Sequence, residues 1–370
     1  MDDALLYEVA LSLIPGVGDI NAKQLLSYCG SAKAVFTSTR AKLKKIPGIG
    51  AKTIDAISST RILLDAESQL YLAEKHQVEL LFYTHKKYPS RLKQINDAPT
   101  LLYYKGNTDL NANKIISIVG TREASAYGKT ITEEIVSGLS KHNPLIVSGL
   151  AYGIDITAHR SALKNGLPTV GVMASGANII YPAVHRNTAH QMLENGGLLT
   201  EFRIGEKPEA HNFPMRNRII AGMADAVIVV EAAAKGGALI TAEIAYSYNK
   251  DLFAVPGNLQ QKYSEGCNNL IKNLKANMLS RVADLEQIMG WDDADTKSTK
   301  GLNATQYKET DFNPDEWLVI RLLLANNKEM VMDELAWKSQ FSISKIASLL
   351  LNLEFGGTVK SLPGKKYRLI

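Results

Sequence analysis

The chain has 370 residues, of which 45% are hydrophobic and 21% charged, and its formal net charge is +5. This composition supports packed cores and excludes a chain that is disordered throughout. At roughly 150 residues per domain, the length predicts two or three domains. The small positive charge is compatible with a polyanionic partner but does not require one.

The chain has two cysteines, Cys29 and Cys267, which lie far apart in the sequence. Their number excludes a disulfide scaffold and a four-cysteine zinc site, and it favours reduced thiols. The N-terminus is acidic where a signal peptide needs positive charge, and no apolar run reaches the ~20 residues of a membrane span. We therefore expect a cytoplasmic protein without a membrane segment.

Two short segments near the start repeat each other. Residues 14–18 read Ile-Pro-Gly-Val-Gly and residues 46–50 read Ile-Pro-Gly-Ile-Gly, each followed by a helical pattern. The pattern predicts helix, hairpin and helix, twice, in an all-α domain over residues 1–66. Such hairpins can hold a DNA phosphate without reading sequence. Basic residues around them are few, such as Lys23 and Lys52, so plain helix–helix turns remain the alternative.

From about Leu80 the pattern changes to short β-branched runs that mostly end in glycine. The runs are residues 114–120, 144–149, 168–176, 226–230 and 251–257, and helical stretches between them include residues 129–141, 156–165 and 238–248. Buried strands that alternate with helices predict an α/β domain whose parallel sheet is covered on both faces. Ligands bind such sheets beyond the carboxyl ends of the strands, where the glycines lie here.

The last part of the chain has a different character. Residues 291–313 are polar and predict a linker, and residues 314–370 read as three helices and a hairpin, which is typical of a winged helix. The third helix, residues 344–353, carries one basic residue, Lys345, which favours protein contact over reading a DNA groove. Basic residues in the wing, at positions 365, 366 and 368, keep DNA contact open.

Four loops of the α/β domain carry potential phosphate donors. The first is Gly120-Thr121-Arg122, which lacks the spacing of a dinucleotide site and the Gly-Lys-Ser/Thr end of a P-loop. What remains is a backbone turn beside a guanidinium, which offers planar donors suited to phosphate. The alternative is that Arg122 pairs with a core carboxylate.

The second loop begins at Ser148 and Gly149 and reaches Gly153 and Asp155 at the start of a helix. A helix N-terminus with free N–H groups and a serine hydroxyl can hold an anion. The alternative is a connection that simply needs glycine, with Asp155 as a helix cap.

The third and fourth loops complete the set. Phe213 precedes Arg216, Asn217 and Arg218, the densest donor cluster in the chain, for which an interdomain salt bridge is the alternative to phosphate contact. Residues 235–237, Lys-Gly-Gly, again place glycines between a strand and a helix. We expect all four loops to converge on one edge of the sheet.

Signs of catalysis and of metal binding are missing from the sequence. It has neither a Gly-x-Ser-x-Gly elbow nor a His-Glu-x-x-His motif, so we expect no enzyme. His159 has no cysteine or second histidine at ligand spacing, so we expect no metal site. Tyr127, Tyr152, Tyr181 and Phe213 lie near the donors and could stack on splayed bases, with packing as the alternative for each.

These segments together resemble the DNA-processing protein A family, also called Smf. The motifs that carry the resemblance are, in chain order, Tyr88-Pro89, Ile118-Val119-Gly120-Thr121-Arg122, Ser148-Gly149 with Asp155 and His159, Tyr181-Pro182, Thr200-Glu201-Phe202, Pro214 with Arg216-Asn217-Arg218, Leu239-Ile240-Thr241-Ala242 and Val255-Pro256-Gly257. They extend from about Tyr88 to Ile271, which is half of the chain.

The resemblance implies a Rossmann-like domain over residues 67–290 that binds single-stranded DNA without hydrolysing it. A helix-hairpin-helix (SAM-like) domain would precede it and a winged helix would follow. The implied function is to protect incoming single strands during natural transformation and to load RecA recombinase onto them. A homodimer through the Rossmann-like domain is implied, and no cofactor.

The resemblance also assigns the DNA-binding residues. The family's motifs correspond here to Arg122, Ser148, Gly149, Gly153, Arg216, Asn217 and Arg218. This chain departs from the pattern before Tyr181 and before Leu239, so at those places only Gly176, Gly236 and Gly237 are retained, for their backbone.

The alternative function is an enzyme. Gly236-Gly237 before a helix that carries Glu243 is similar to the motif of Rossmann-like nucleotide phosphoribohydrolases. Lys235 stands where that motif has proline, and its second Gly-Thr spacing is missing.

Overall fold

The computed structural model describes residues 3–291, 307, 309–326, 328–362 and 364–370. The chain divides into two compact units, Met1–Ser280 and Arg281–Ile370. Most of the predicted linker, residues 291–313, lies outside the described residues. Among the described helices, none combines the length and apolar character that crossing a bilayer requires.

The first unit begins with six helices. They are α1 (Asp3–Ser12), α2 (Asp19–Cys29), α3 (Ala32–Thr37), α4 (Arg40–Leu43), α5 (Ala51–Ile57) and α6 (Thr60–His76). Their core is made of fully buried aliphatic side chains such as Val9, Leu11, Leu25 and Ile54. The predicted all-α domain is confirmed, with its two glycine hairpins between α1 and α2 and between α4 and α5.

A nine-stranded sheet forms the rest of the first unit. Its strands are β1 (Glu79–Phe82), β2 (Leu101–Gly106), β3 (Ile115–Val119), β4 (Leu145–Ser148), β5 (Thr169–Val172), β6 (Gly196–Thr200), β7 (Ala226–Val229), β8 (Asp251–Ala254) and β9 (Asn277–Met278). The spatial order is β1-β2-β6-β5-β4-β3-β7-β8-β9. Neighbours from β6 to β9 pair in parallel, whereas β1 with β2 and β2 with β6 are antiparallel.

The predicted α/β core is therefore confirmed, with an antiparallel extension that the sequence did not reveal. Every residue of β3, β4, β5, β6 and β7 is buried, which matches strands covered on both faces. The observed strands are shorter than the predicted runs. The run at residues 168–176, for example, forms a strand only over Thr169–Val172.

Helices cover both faces of this sheet. They are α7 (Ser90–Lys93), α8 (Ala126–Gly138), α9 (Ile154–Lys164), α10 (Arg186–Met192), α11 (Asn212–Met223), α12 (Gly237–Ser247) and α13 (Glu265–Lys272). The strand order reverses direction between β3 and β7. In parallel sheets a crevice opens at such a reversal, beyond the carboxyl ends of the strands.

The second unit contains α14 (Val282–Met289), α15 (Pro314–Ala325), β10 (Glu329–Val331), α16 (Met332–Ser339), α17 (Ile343–Phe355), β11 (Val359–Leu362) and β12 (Lys366–Leu369). The last three strands form a sheet in the order β10-β12-β11 over a core that includes Ile320, Leu335 and Leu350. The predicted winged helix is confirmed, and β10 is an additional strand.

Candidate nucleic-acid interface

A pocket lies beyond the carboxyl ends of β3, β4 and β5, where the loops after these strands meet α11. Its lining residues come from three of the four predicted loops and from two further segments. They are Arg122, Gly149, Ala151, Tyr152, Ala174, Tyr181, Pro182, Phe213 and Arg216. The sequence therefore predicted the location of the pocket through its strand-end glycines.

The pocket presents a cation and aromatic rings to solvent. Arg122 is exposed, and its guanidinium carbon lies 5.1 Å from the centre of the Phe213 ring. The Tyr181 ring meets Phe213 edge-on at a centroid distance of 6.0 Å. Tyr152 and Tyr181 are each 49% exposed. A phosphate can therefore approach the guanidinium while a base approaches an aromatic face.

The loop that carries Arg122 is held by a buried carboxylate, Glu231, at the end of β7. The backbone N–H of Thr121 donates to the Glu231 carbonyl oxygen over 2.7 Å. The Ser125 N–H and hydroxyl donate to the two carboxylate oxygens of Glu231 over 3.0 and 2.5 Å. Ser125 in turn caps α8 through the N–H of Gly128. The exposed guanidinium thus projects from a loop with a fixed base.

Gly153 locks the first two loops together. Its φ is +74°, and a Cβ at this position would overlap the carbonyl oxygen of Thr121. The next residue, Ile154, donates its N–H to that same oxygen over 3.2 Å. Glycine is required here for both its backbone angle and the close approach of the two loops.

The anion site predicted at the start of α9 is filled by the protein itself. The Asp155 carboxylate accepts the N–H groups of Gly149 and Ala151 at 3.2 and 3.4 Å. The Ser148 hydroxyl is buried and donates to the Ile118 carbonyl oxygen over 2.6 Å. Burial raises the pKa of Asp155, although Arg216 opposes the change. Ser148 and this helix terminus therefore support the loop and do not face a ligand.

Arg216 lines the pocket from a buried position. It is buried, and one terminal nitrogen donates to the carbonyl oxygens of Gly149 and Val172. Its Nε donates to the Asn217 amide oxygen over 3.2 Å, and the Asn217 amide nitrogen donates to Gly237. Burial lowers the pKa of Arg216 to about 10, against the attraction of Asp155. Arg216 lines the pocket, but much of its donor capacity is used within the protein.

Arg218 does not join the pocket. Its guanidinium donates to the Asp97 carbonyl oxygen, to the Glu201 carboxylate and, over 3.2 Å, to the Asp19 carboxylate. Asp19 is the first residue of α2, so the contact joins the helical domain to the sheet domain. The sequence grouped Arg218 with Arg216 as a DNA donor, and the interdomain salt bridge is what the structure shows.

The groups around Arg218 form a cluster with more acids than bases, which we call the Arg218 cluster (Asp19, Asp97, Glu201, Arg218 and Tyr248). The Tyr248 hydroxyl donates to the Asp97 carboxylate over 2.7 Å. Burial raises the pKa of Glu201, which Arg218 opposes and Asp19 reinforces. Burial acts against the charge of Arg218, yet the pairing with Glu201 and Asp19 raises its pKa. The cluster is an interior junction, not a docking surface.

Other predicted positions lie outside the pocket lining. Lys235, Gly236 and Gly237 are exposed beyond β7, with open space around both glycines. Gly176 donates its N–H to the Glu206 carbonyl oxygen, and a Cβ there would overlap the backbone at Arg203. Of the four predicted loops, the structure therefore brings three to the pocket and leaves the fourth beside it.

The residues considered for catalysis or metal binding, Glu243 and His159, lie outside the pocket lining. Glu243 is on the outer surface of α12, where it pairs with Lys275 over 2.7 Å, and it does not line the pocket with Arg216. His159 is buried, its Nδ1 bonds Thr169, and burial lowers its pKa to about 3. Within the part of the chain that the structure describes, no three His, Cys, Asp or Glu side chains gather as a metal site would need.

Sequence reasoning missed the two carboxylates that support the site, Glu231 and Asp155, as supports of specific loops. Asp155 was predicted only as a possible helix cap, and Glu231 was not among the predicted residues. Ser125 directly precedes a helix, a position at which the serine oxygen accepts a helix N–H while its own hydrogen can still be donated to an acceptor. Only the fold shows that β3 and β7 are neighbours, which brings Glu231 to that serine.

Comparison with known proteins agrees with this architecture. The sequence profile of the DNA recombination-mediator protein A family matches residues 79–290. A tandem SAM-like helix-hairpin-helix profile matches residues 8–60, and the DprA winged helix profile matches residues 321–365. Protein Smf of Synechocystis sp. is 31% identical over 98% of both chains.

Two solved structures are similar as well. DNA processing protein A from Streptococcus pneumoniae superposes with a TM-score of 0.64 at 32% identity, covering 76% of this chain and 97% of that one. DNA processing protein A from Helicobacter pylori, described for its single-stranded DNA binding mode, has a TM-score of 0.53 at 29% identity and covers 58% of this chain and 97% of that one. The chain therefore belongs to the DNA recombination-mediator protein A family.

Proposed function

We propose that the chain is a recombination mediator that binds single-stranded DNA across the pocket between Arg122 and Phe213. The observation that carries the proposal is one exposed guanidinium over an aromatic ring, with Tyr152 and Tyr181 exposed beside it. Single-strand binders combine cations for phosphates with aromatic faces for bases, so they tolerate any sequence. The similar protein from Helicobacter pylori is described as binding single-stranded DNA, which supports the same ligand here.

The donors take different parts in this proposal. Arg122 meets a phosphate directly, because its guanidinium is exposed. Lys235, with the open backbone of Gly236 and Gly237, offers a second contact to the strand beyond β7. Arg216 acts from below, as a positive charge that also fixes the backbone of Gly149. Arg218 makes no DNA contact in this arrangement.

Measurement of DNA affinity in solution tests the proposal. Fluorescence anisotropy of a labelled oligo-dT, across a salt series, is compared for the wild type, Arg122→Ala and the control Arg61→Ala. Arg61 is an exposed arginine on α6 of the helical domain. Loss of affinity in Arg122→Ala alone supports the pocket. No single-strand binding by the wild type at low salt refutes the function, and equal affinity in all three proteins refutes the site.

The remaining steps of the implied function are also proposed. The protein protects incoming single strands during natural transformation, loads RecA recombinase onto them and works as a homodimer through its sheet domain. The family description as a recombination mediator supports these steps. The test is RecA filament formation on strands covered by single-strand-binding protein, with and without the chain, and sedimentation gives the oligomeric state. No acceleration of filament formation would remove RecA loading.

For the winged helix we propose protein contact rather than duplex reading. Lys345 of α17 pairs with Asp315 over 2.7 Å, so the only basic residue of that helix is directed to its own domain. The wing residues Lys366 and Arg368 both pair with Glu329. The exposed side of α17 instead carries Phe355, which is 83% exposed. Pull-down of RecA by residues 281–370, with Phe355→Ser as control, tests this role.

A further inference from the structure

Two buried carboxylates lie at the edge of the sheet where the pocket opens. Asp155 is in the first turn of α9 and is 6% exposed, and Glu231 follows β7 and is 3% exposed. A buried carboxylate is costly unless N–H groups or cations surround it. Each of the two therefore marks a place where the fold offers donors to an anion.

The Asp155 carboxylate occupies the turn between β4 and α9. One of its oxygens, Oδ2, accepts the N–H of Gly149 over 3.2 Å and that of Ala151 over 3.4 Å. A Cβ at Gly149 would overlap both this oxygen and a terminal nitrogen of the buried Arg216. Two backbone N–H groups, a guanidinium and the N-terminus of α9 therefore surround one acidic oxygen.

The Glu231 carboxylate occupies the start of α8 in the same way. Its two oxygens accept the N–H and the hydroxyl of Ser125, which directly precedes the helix. A Cβ at Gly128, in the first turn of α8, would overlap the Glu231 side chain. The N-terminal ends of α8 and α9, which follow the neighbouring strands β3 and β4, are therefore both filled by carboxylates of the protein itself.

Donors of this kind hold phosphate groups in open parallel sheets. Phosphates bind there to N–H groups of the loops between strand and helix, in the crevice where the strand order reverses. In this chain the reversal lies between β3, which precedes α8, and β7, which precedes Glu231. A phosphate has oxygen acceptors like those of a carboxylate and more negative charge, so it cannot enter while the carboxylate is in place.

The donors that stay open beside these two carboxylates are exposed ones. Arg122 faces solvent, and α12 begins at Gly237 with no side-chain cap and with open space around Gly236. A single phosphate gains little from an exposed cation, because water screens the attraction. A strand places several phosphates on such contacts, and each contact after the first forms within one complex. Weak, separate contacts therefore favour a polymer over a single nucleotide.

We propose that Asp155 and Glu231 determine ligand specificity as internal anions, which exclude free phosphate and the phosphate group of single nucleotides from the crevice. Specificity is a difference between two affinities, and rejecting the competitor contributes to it as much as binding the ligand. The preference for a strand rests on the proposed function. The exclusion of free phosphate does not, because it is a property of the folded chain that is measured without DNA.

The test variant is Asp155→Ala in the full chain, which vacates the turn between β4 and α9. Asp155→Asn is the matched control, because its amide oxygen keeps an acceptor in the turn at nearly the same volume. Glu265→Ala is a second control, since Glu265 is an exposed carboxylate in the first turn of α13. Melting temperatures are measured in sodium phosphate and in sodium chloride of equal ionic strength.

We expect Asp155→Ala to melt below the wild type in chloride, because the N–H groups of Gly149 and Ala151 lose their acceptor. Phosphate at about ten times its dissociation constant should raise the melting temperature of this variant by about 3–6 °C. The wild type and both controls should change by less than about 1 °C, since the turn stays filled in all three.

An equal response of Asp155→Ala and the wild type to phosphate overturns the inference. If the alanine variant does not fold in chloride, its recovery from denaturant in phosphate replaces the melting experiment. Folded protein in phosphate alone supports the inference. Failure to refold in either salt overturns it, because phosphate then does not take the place of the carboxylate.

A competition measurement connects the exclusion of phosphate to DNA binding. Anisotropy of labelled oligo-dT is measured with rising dTMP. When dTMP is at about ten times its dissociation constant for Asp155→Ala, the affinity of this variant for oligo-dT should fall about tenfold, and that of the wild type less than about twofold. Equal inhibition overturns the role in specificity. Absence of oligo-dT binding by the wild type refutes the proposed function instead, and the melting experiment still decides whether free phosphate is excluded.

Discussion

Two arginines of the first unit, Arg122 and Arg218, share a predicted DNA-binding role but have different surroundings in the structure. Arg122 lies at the open end of the sheet, over Phe213, and its guanidinium faces solvent. Arg218 lies inside the Arg218 cluster and donates to three acceptors of the protein. A guanidinium is available to a ligand only if the fold leaves it without internal acceptors. The same residue type is therefore exposed at a pocket in one region and a structural group in the other.

The largest expected effect is the loss of folding stability when the Arg218 cluster is broken. Arg218→Ala leaves the buried Glu201 carboxylate and the partly exposed Asp19 carboxylate without their shared cation and the Asp97 carbonyl oxygen without its donor. Removing one partner of a buried ion pair costs about 3–5 kcal/mol of folding stability. Chemical denaturation of wild type and variant measures this loss. The affinity for oligo-dT of the folded variant should stay within about twofold, since Arg218 has no part in the pocket. An Arg218→Ala variant that is as stable as the wild type but binds DNA weakly would show that Arg218 contacts DNA and does not stabilise the fold.

The next largest effect is expected at Gly153, where the loop that precedes α9 packs against the loop of Arg122. Gly153→Ala forces a side chain onto the Thr121 carbonyl and strains a positive φ, which we expect to cost roughly 2–4 kcal/mol. Because the loop of Arg122 must shift, single-strand affinity should fall as well. Gly166→Ala is the control, since Gly166 has a φ of +69° but open space around it. Equal melting temperatures for the two variants would show that the loops are not interlocked.

A smaller effect, on DNA affinity alone, is expected when the exposed Arg122 is replaced. Arg122→Ala should weaken oligo-dT binding about tenfold at low salt and lower the salt slope by about 0.7, the value for one single-strand phosphate contact. Its melting temperature should match the wild type, because the guanidinium is exposed and the loop is held by Glu231. Arg122→Lys should recover part of the affinity, since it restores the charge without the planar donors. Full affinity in Arg122→Ala would remove it from the site.

The smallest expected effect is the pH dependence of folding stability that Glu201 of the Arg218 cluster causes. Burial raises the pKa of Glu201 from about 4.5 to about 7, so the folded state holds its proton over a range where the unfolded state has lost it. A raised pKa in the folded state adds stability below the unfolded value, and this stability is lost as pH rises towards about 7.

Between pH 5 and pH 8, which bracket that pKa of about 7, the wild-type melting temperature should fall relative to that of Glu201→Gln, which cannot ionise. A relative change of about 2–4 °C corresponds to about 1 kcal/mol in a domain of this size. A difference that stays constant with pH would mean that Glu201 is ionised throughout this range, and a change of the opposite sign would contradict the raised pKa.

Much of the architecture was predictable from local pattern. The β-branched runs, the repeated hairpins and the late three-helix unit each carry their own periodicity, and local periodicity is what a linear sequence records best. The strands β1, β2, β6 and β9 of the large sheet were missed, because their pairing joins distant residues, such as Tyr103 with Thr200. The strand-end loops at Gly120 and Gly149 were located correctly, since parallel strands bring their carboxyl ends to one edge.

The roles of the arginines on α11 were harder to predict. A signal was available, because Arg218 is followed directly by the apolar residues 219–224, and a helix that is apolar on all sides is buried. Arginines in such a helix must find acceptors inside the protein. The Arg216 guanidinium donates to the carbonyl oxygens of Gly149 and Val172. The Arg218 guanidinium pairs with a carboxylate from each of two domains, those of Asp19 and Glu201.

The order of amino acids alone specified the domains, the α/β alternation and the edge of the sheet at which the pocket lies, because these follow from periodicity and from glycine placement along the chain. The fold alone decided which charges face solvent. Asp155 fills the helix terminus that the sequence predicted to be open, Asp19 joins its hairpin to Arg218 of the sheet domain, and Glu231 holds the loop from which Arg122 reaches solvent. A charge is neutralised by whatever lies next to it in space, and that neighbour is usually distant in sequence.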